Sequence, residues 1–365
     1  MLRNISWRHF DFWLLGAVLL TITFGIAMID SAVAGNAELE DYPNRQAIFA
    51  GIGLAVIVLI SVIDYNYWLV LYRPIFAVMM VLLFFLFLSA QDVFGAARWF
   101  RVGAIFIQPT ELAKLVIILI LARYFEQTKN EPRDLRWVIS SFLWVMSLTI
   151  WILLQPNLSN VIVIMVIWIV MLWMNGLKIK QLVTFGLAGL AGIAAGFPFL
   201  QEYQQQRVLT FIFPDPNATY GETYNIEQAK IAIGNGGLFG QGYGHGTQVQ
   251  LRFLKVRHTD FIFSAISEEF GFIGAFVVIL TLAFILWRCI RAARFARDVS
   301  GAMIAFGVAT LIFFQGAVNI AVNLNLIPVS GLPLPFISYG GSGLLSLMLG
   351  IGFVESVLMR QKVVE

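Results

Sequence analysis

The feature that most constrains this chain is a series of long, uninterrupted apolar stretches along its 365 residues. Hydrophobic residues make up 59% of the sequence and charged residues only 12%, and the mean hydropathy is +0.82. A helix needs about 17–25 apolar residues to cross a bilayer, whereas a transmembrane β-barrel needs short strands of alternating polarity. The sequence therefore predicts an all-α polytopic membrane protein, with a single membrane domain over residues 1–365.

Ten windows have the length and composition of a transmembrane helix. They lie at about 11–29, 46–63, 74–90, 107–124, 137–154, 158–174, 181–198, 260–287, 301–326 and 336–359. The first window is too long for a signal peptide and lacks a small-residue cleavage site before the next polar loop, which predicts a retained helix.

Lys and Arg residues predict the orientation of these spans. With the amino terminus inside, fifteen of them lie on the cytoplasmic side and three in short outer loops. The positive-inside rule then places both termini in the cytoplasm. One long polar segment, about residues 199–259, lies outside between spans 7 and 8. Within it, Ile226–Ile233 predicts an interfacial helix, and the glycine cluster 234–246 predicts a flexible, close-packed turn region.

A dense run of charges marks the point where this outer segment re-enters the membrane. It contains Lys255, Arg257, His258, Asp260, Glu268 and Glu269. Charges near a bilayer cost several kcal/mol, so the run predicts a polar site. We expect Thr259 to cap the eighth span and Asp260 to lie in its first turn. A helix amino terminus lowers the pKa of a carboxylate and burial raises it, and the sequence leaves open which effect dominates.

Two further groups could contribute to such a site. Glu111 and Lys114 are spaced i, i+3 in the fourth span, so they either form a self-neutralising pair or face a substrate. Cations on the outer side that could contribute include Arg98, Arg207, Lys230, Lys255 and Arg257. They suit a phosphorylated lipid, although each alone is also typical of a solvated loop charge. The residues themselves indicate a polytopic membrane protein with an outer polar site for an anionic lipid.

Six motifs occur in a defined order along the chain. They are GAARW (95–99), QPTELAK (108–114), QPNL (155–158), IAIGNGGLFG (231–240), HTDFIF (258–263) followed by EE (268–269), and GLPLPFISYGG (331–341). Together they resemble the SEDS family, the bacterial shape, elongation, division and sporulation proteins, over nearly the whole chain. Asn157 and Gly343 depart from this pattern, because the family often has Asp and Ser there, so we assign no second acid at position 157. Within the family, the chain is more similar to the rod-shape RodA branch, because Arg257 directly precedes His258 and the chain has no long cytoplasmic tail.

The resemblance implies a peptidoglycan glycosyltransferase. Such an enzyme polymerises lipid II on the outer face of the cytoplasmic membrane, here during cell elongation, and releases undecaprenyl pyrophosphate. Asp260 matches the essential acid of the family, which would deprotonate the acceptor hydroxyl. The residues expected to bind substrate are Arg98, Glu111, Lys114, Arg207, Lys230, Lys255, Arg257, His258 and Ser338.

The resemblance also implies partners and leaves alternatives. A class B penicillin-binding protein would supply transpeptidation, and we expect it to raise polymerase activity by ordering the outer segment. Membrane lipids are further expected partners and nucleic acid is not. No metal ligands are assigned, and a divalent cation is left open as a cofactor. The alternative functions are a lipid II flippase, and a non-catalytic scaffold for the penicillin-binding protein.

Overall fold

The protein is described by a computed structural model that covers residues 7–89, 99–102, 105–215 and 220–361. The helices in these ranges are α1 Phe12–Val33, α2 Tyr42–Val62, α3 Tyr65–Val70, α4 Tyr72–Ser89, α5 Pro109–Gln127, α6 Leu135–Leu154, α7 Leu158–Met174, α8 Ile179–Gly196, α9 Glu202–Ile212, α10 Gly221–Gly236, α11 Thr247–Gln250, α12 Ile262–Phe295, α13 Val299–Asn323 and α14 Gly341–Leu358. Two short strands, β1 Phe100–Val102 and β2 Ile105–Ile107, pair antiparallel between α4 and α5.

The long helices confirm an all-helical, polytopic membrane protein. Each of the ten predicted windows overlaps one long helix in the described ranges. Seven helices are long and apolar enough to cross a membrane, and two shorter apolar helices are Tyr72–Leu88 and Leu158–Met174. The remaining window corresponds to α5, which carries Glu111 and Lys114 in its first two turns. The count of ten crossings and the orientation of the termini stay predictions.

Aspartates cap the start of four of the described helices, and Asp64 of α3 is one of them. The carboxylate of Asp11 accepts the amide of Leu14 at 3.0 Å, where α1 begins. Asp134 caps α6 and Asp298 caps α13 in the same way. A capping carboxylate satisfies an amide that has no partner within the helix and interacts favourably with the helix dipole.

The core is a bundle in which α14 packs along α2, and α13 packs along α12 and α5. Small residues allow these close approaches. A Cβ on Gly352 of α14 would lie only 3.0 Å from the Cβ of Ile60 in α2, and one on Gly307 of α13 would lie 2.7 Å from Ile118 in α5. Such contacts are typical of membrane helix interfaces, where small side chains let backbones approach. In contrast, α8 buries none of its described side chains.

The outer segment is folded where the structure describes it. It contains α9, α10 and α11, and the predicted interfacial helix Ile226–Ile233 lies inside α10. The glycine cluster 234–246 packs closely against α12 at Gly236, Gly240 and Gly246, as predicted, and its flexibility stays a prediction. Its backbone is hydrogen-bonded into the middle of α12, so the outer segment and the membrane bundle are joined there.

A break in α12 receives this glycine cluster. Gly271 has φ 66° and ψ −165°, a conformation essentially restricted to glycine. Four backbone bonds span the break: Gln241 N to Glu268 O (3.0 Å), Gly242 N to Glu269 O (2.9 Å), Phe272 N to Gly237 O (2.8 Å) and Ile273 N to Leu238 O (3.2 Å). The cluster therefore supplies partners for amides and carbonyls around the helix break, which hydrocarbon could not satisfy.

Candidate functional site

Asp260 lies in a turn that immediately precedes α12. The amides of Thr259 and Phe261 both bond the carbonyl of Val256, which has a positive φ of 53°. Thr259 does not cap the helix as predicted, because its hydroxyl donates to the Val256 carbonyl at 3.3 Å. Phe261 occupies the N-cap position and makes no side-chain cap bond. The prediction that Asp260 lies in the first turn of the helix is therefore wrong, and Asp260 lies just outside it.

Two amides of α13 hold the backbone of Asp260. Asn319 and Asn323 each donate from Nδ2 to the Asp260 carbonyl, at 3.0 Å and 2.9 Å. Both side chains are buried, and they lie one helical turn apart on the same face of α13. The carboxylate of Asp260 accepts no hydrogen bond from any residue that the structure describes, so its position depends on its backbone.

The loop 331–340 holds the two preceding residues of the turn. Ser338 donates from its hydroxyl to the Thr259 carbonyl at 2.8 Å, and the Tyr339 amide donates to the His258 carbonyl at 2.9 Å. Gln46 of α2 in turn donates to the Ser338 carbonyl at 3.2 Å. Ser338, predicted to bind substrate, is buried here and fastens the loop to the turn that contains Asp260.

The electrostatics of Asp260 favour a proton acceptor that works near neutral pH. Burial raises the pKa of the Asp260 carboxyl to about 6, with Glu222 adding to the rise and Arg207 opposing it. Arg207 of α9 pairs with Glu222 of α10 at 2.8 Å, and both are partly exposed. Burial also raises the pKa of Glu222, and Arg207 offsets part of that rise. Burial thus dominates at Asp260, which the sequence had left open.

His258 is part of an aromatic cluster beside this turn. Its ring contacts Tyr42 edge-on at 5.4 Å between centroids, and Tyr42 stacks on Tyr339 at 4.0 Å. Burial and the neighbouring Arg257 lower the pKa of His258 to about 4. The imidazole is therefore neutral at physiological pH and does not add a positive charge to the site.

The basic residues predicted to bind substrate occupy different environments. Arg257 is buried, and its Nε donates to the Ala32 carbonyl at the end of α1, at 2.5 Å. Lys230 and Lys255 are exposed. Arg98 lies outside the described residues. Among the predicted cations that the structure describes, Arg207 is the one whose charge acts on Asp260.

The Glu111–Lys114 pair lies inside the bundle. Lys114 Nζ is 2.7 Å from Glu111 Oε1 and 3.2 Å from Asn160 Oδ1, and the lysine side chain is 0% exposed. Asn160 donates onward to Thr110 at 3.3 Å. The ammonium is thus neutralised and hydrogen-bonded by protein groups, as a buried charge requires.

Glu268 and Glu269 point inward from α12. The Glu268 carboxylate accepts the Gln248 and Val249 amides at the start of α11, at 2.8 Å and 3.2 Å. Glu269 accepts the hydroxyl of Ser31, near the end of α1. The Glu268 carboxylate therefore anchors the outer segment to α12, and the Glu269 carboxylate joins α12 to α1. Neither carboxylate contacts Asp260 among the described residues. Within the described ranges, no group of three or more His, Cys, Asp or Glu side chains is arranged to hold a metal ion.

Comparison with known proteins identifies the family. A family model for cell cycle proteins, of the FtsW, RodA and SpoVE group, matches residues 12–363. The chain belongs to the FtsW, RodA and SpoVE family. This is the SEDS family predicted from the motifs, and its members include proteins named peptidoglycan glycosyltransferase. The predicted class of enzyme, a glycosyltransferase, is confirmed at this level.

Two relatives illustrate the similarity across this family. Stage V sporulation protein E of Bacillus subtilis (strain 168) is 35% identical, with 95% of this chain and 96% of that protein covered. The probable peptidoglycan glycosyltransferase FtsW of Geobacter sp. (strain M18) is 33% identical, with 96% of each covered.

Solved structures give the same fold. The rod shape determining protein RodA of Thermus thermophilus has a TM-score of 0.73 at 28% identity, covering 97% of this chain and 98% of that chain. A chain of a peptidoglycan synthase complex that coordinates polymerization and crosslinking has a TM-score of 0.82 at 28% identity, covering 96% and 98%. FtsW, SpoVE and RodA proteins all match, so the RodA branch stays a prediction.

The sequence reasoning missed two functional features of the site. Glu222 was not selected, although its charge acts on Asp260. Asn319 and Asn323 were not assigned to the site either, although both hold the Asp260 carbonyl. Amides at i, i+4 in an otherwise apolar helix were the available signal, because a buried amide needs hydrogen-bond partners.

Proposed function

We propose that this protein polymerises lipid II into glycan strands on the outer face of the bacterial cytoplasmic membrane. The observation that carries the proposal is Asp260. Its carbonyl is fixed by two buried amides, its carboxylate is free of hydrogen bonds from described residues, and burial raises its pKa to about 6. A carboxylate with these properties is suited to accept a proton from a hydroxyl group near neutral pH.

In the proposed reaction Asp260 takes the proton of the acceptor sugar hydroxyl. The resulting oxygen attacks the anomeric carbon of the donor, and the new C–O bond forms as the bond to pyrophosphate breaks. Undecaprenyl pyrophosphate leaves with the electron pair of that bond. Cations that stabilise the leaving negative charge lower the barrier, because this charge develops in the transition state.

We assign that electrostatic role to the outer cations. Arg207 is the strongest candidate, because its guanidinium already acts on Asp260 and is partly exposed. Exchange of its partner, from Glu222 to a pyrophosphate, would keep the arginine neutralised throughout. Lys230 and Lys255 are exposed on the same outer segment, and Arg98 precedes the β1–β2 pair. Lys114 would reach substrate only after opening of the helices around it.

We further propose a class B penicillin-binding protein as partner and a role in cell elongation. The similarity to a chain of a peptidoglycan synthase complex supports a partner. The family resemblance at Arg257-His258 favours the elongation branch. Folded outer helices α9 to α11 give a partner a defined surface connected through the glycine cluster to α12.

Polymerisation of labelled lipid II by the purified protein, alone and with the partner, tests this function. We expect Asp260→Asn to insert and fold normally but to make glycan at roughly 10²–10⁴-fold lower rate than wild type. Asp260→Glu is the matched control that keeps the acid with a longer reach. Wild-type polymer from Asp260→Asn would refute the assignment. Lipid II movement across vesicles without polymer would support a flippase, and partner binding without either activity would support a scaffold.

A further inference from the structure

Asn319 and Asn323 of α13 both donate side-chain hydrogen bonds to the backbone carbonyl of Asp260. Asn319 Nδ2 donates to the Asp260 carbonyl at 3.0 Å and to the Leu332 carbonyl at 2.9 Å. An amide nitrogen has two donor hydrogens, so both are used. Asn319 therefore ties the turn that contains Asp260 to the loop 331–340.

Asn323 ties the same turn to the start of α12. Its Nδ2 donates to the Asp260 carbonyl at 2.9 Å and to the Asn319 carbonyl at 2.8 Å. Its Oδ1 accepts both the amide and the hydroxyl of Ser264, at 3.0 Å and 2.7 Å. The Ser264 amide is one of the first in α12, which have no partner within the helix. The Asn323 side chain thus joins the turn that contains Asp260 to the first turn of α12.

The two amides together restrict the Asp260 backbone strongly. A carbonyl oxygen has two lone pairs, and Asn319 and Asn323 occupy both of those on Asp260. Both asparagines are buried, with 1% and 0% of their surface exposed, which limits the access of water to these bonds from the side of α13. The Asp260 carboxylate has no comparable support among the described residues. The backbone that the amides hold consequently sets the point from which this carboxylate extends.

We propose that Asn319 and Asn323 are positioning residues that hold Asp260 at the distance from the acceptor hydroxyl which proton transfer requires. The proposal rests on the proposed role of Asp260 as the base. A general base acts within about 2.6–3.2 Å of the proton donor's heavy atom, and misplacement by about 1 Å can lower the rate about 10²-fold. Neither amide contacts substrate in this role.

Replacement by leucine removes each amide while keeping the number and branching of the side-chain heavy atoms. We expect Asn319→Leu and Asn323→Leu to lower kcat for lipid II polymerisation about tenfold each, and about 10²-fold together. The lipid II concentration at half-maximal rate should change less than about threefold, because binding groups are untouched. Wild-type kcat in the double variant would overturn the proposal.

Gln315 provides the matched control on the same helix. It lies one turn deeper, is 1% exposed, and neither of its amide atoms has a hydrogen-bond partner in the described part of the chain. Gln315→Leu likewise replaces a buried amide by an apolar side chain but does not free Asp260, so we expect wild-type kcat. An equal loss of kcat in Gln315→Leu would mean that activity depends on buried amides in α13 in general, and it would also overturn the proposal.

A pH profile separates positioning from general damage to the fold. Freed from α13, Asp260 becomes more solvated, and the acid limb of the rate should move from about pH 6 toward the ordinary range of Asp. Arg207 and Glu222 are the charged groups that act on Asp260, and both are unchanged. A variant with lower kcat but an unmoved acid limb would show a structural role only.

Asn319→Gln keeps the proposal testable if the leucine variants fail to fold. It preserves the amide but shifts the donor by one methylene, so lower kcat with a monodisperse, folded protein is expected. Wild-type kcat in this variant would count against positioning. The proposed function fails separately, if Asp260→Asn retains polymerase activity. If Asp260→Asn is inactive while the asparagine variants match wild type, only the positioning role is refuted.

Discussion

Two glycines of α10 offer a matched pair of substitutions that tests the docking of the outer segment into α12. A Cβ on Gly234 would have open space around it. One on Gly236 would overlap the carbonyl oxygen of Ser267 and lie 2.8 Å from its carbonyl carbon, whereas ordinary contacts begin at 3.4 Å. Gly236→Ala therefore forces the backbones of α10 and α12 apart, and Gly234→Ala does not.

The expected changes in stability follow from the backbone hydrogen bonds between the glycine cluster and α12. Alanine in place of a helical glycine stabilises by roughly 0.5–1 kcal/mol where space allows, which describes Gly234→Ala. Separation at Gly236 weakens the four backbone bonds between the glycine cluster and α12. At about 0.5–1.5 kcal/mol net for each bond, their loss destabilises by about 2–6 kcal/mol. The two variants should therefore differ clearly and in opposite directions from wild type.

Thermal unfolding followed by tryptophan fluorescence measures this difference, since the chain has ten tryptophans. Both variants are compared in the same detergent and at the same heating rate. We expect Gly234→Ala to melt at or above the wild-type temperature and Gly236→Ala well below it. Polymerase activity should fall only in Gly236→Ala, because the glycine cluster is hydrogen-bonded to α12, the helix that directly follows Asp260. Equal melting temperatures for the two variants would refute the docking role of the glycine cluster.

Two further predictions concern the ionisable groups. The initial rate of lipid II polymerisation should be half-maximal near pH 6 and fall about tenfold per pH unit below it, because Asp260, whose pKa is raised to about 6, must be ionised to accept a proton; a midpoint near that of an ordinary Asp would contradict burial as the cause. Lys114→Met alone should destabilise the protein by about 3–5 kcal/mol, because it leaves the Glu111 carboxylate buried and unpaired. The double variant, which also carries Glu111→Gln, should regain stability but not polymerase activity. Thermal unfolding and glycan synthesis measure the two effects, and an active, folded double variant would restrict the pair to a structural role.

The helices themselves were predictable because hydropathy is a local property. Windows at 158–174 and 137–154 agree with α7 and α6 to within two residues. The window at 260–287 was less accurate, since α12 begins at Ile262 and continues to Phe295. The start of α12 depends on hydrogen bonds with side chains of α13. Its far end contains several arginines, which a local hydropathy window places outside the membrane.

The candidate site was only partly predictable. Asp260 was selected from its place in a charged run and from the family motifs. The i, i+3 spacing predicted the contact of Glu111 with Lys114, because residues three apart share a helix face. The partners Asn319 and Asn323 lie 59 and 63 residues from Asp260 along the chain. No periodicity in the sequence connects residues at such separations.

By itself, therefore, the sequence determined the membrane class and the order of the helices, and it selected Asp260 as the candidate acid. Each of these depends on composition or spacing over a few residues to a few tens of residues. Tertiary structure alone decided that burial raises the pKa of Asp260, that the glycine cluster fills a break at Gly271, and that Lys114 is enclosed with Asn160. Those outcomes depend on desolvation and on hydrogen bonds between distant segments, which exist only once the helices have packed.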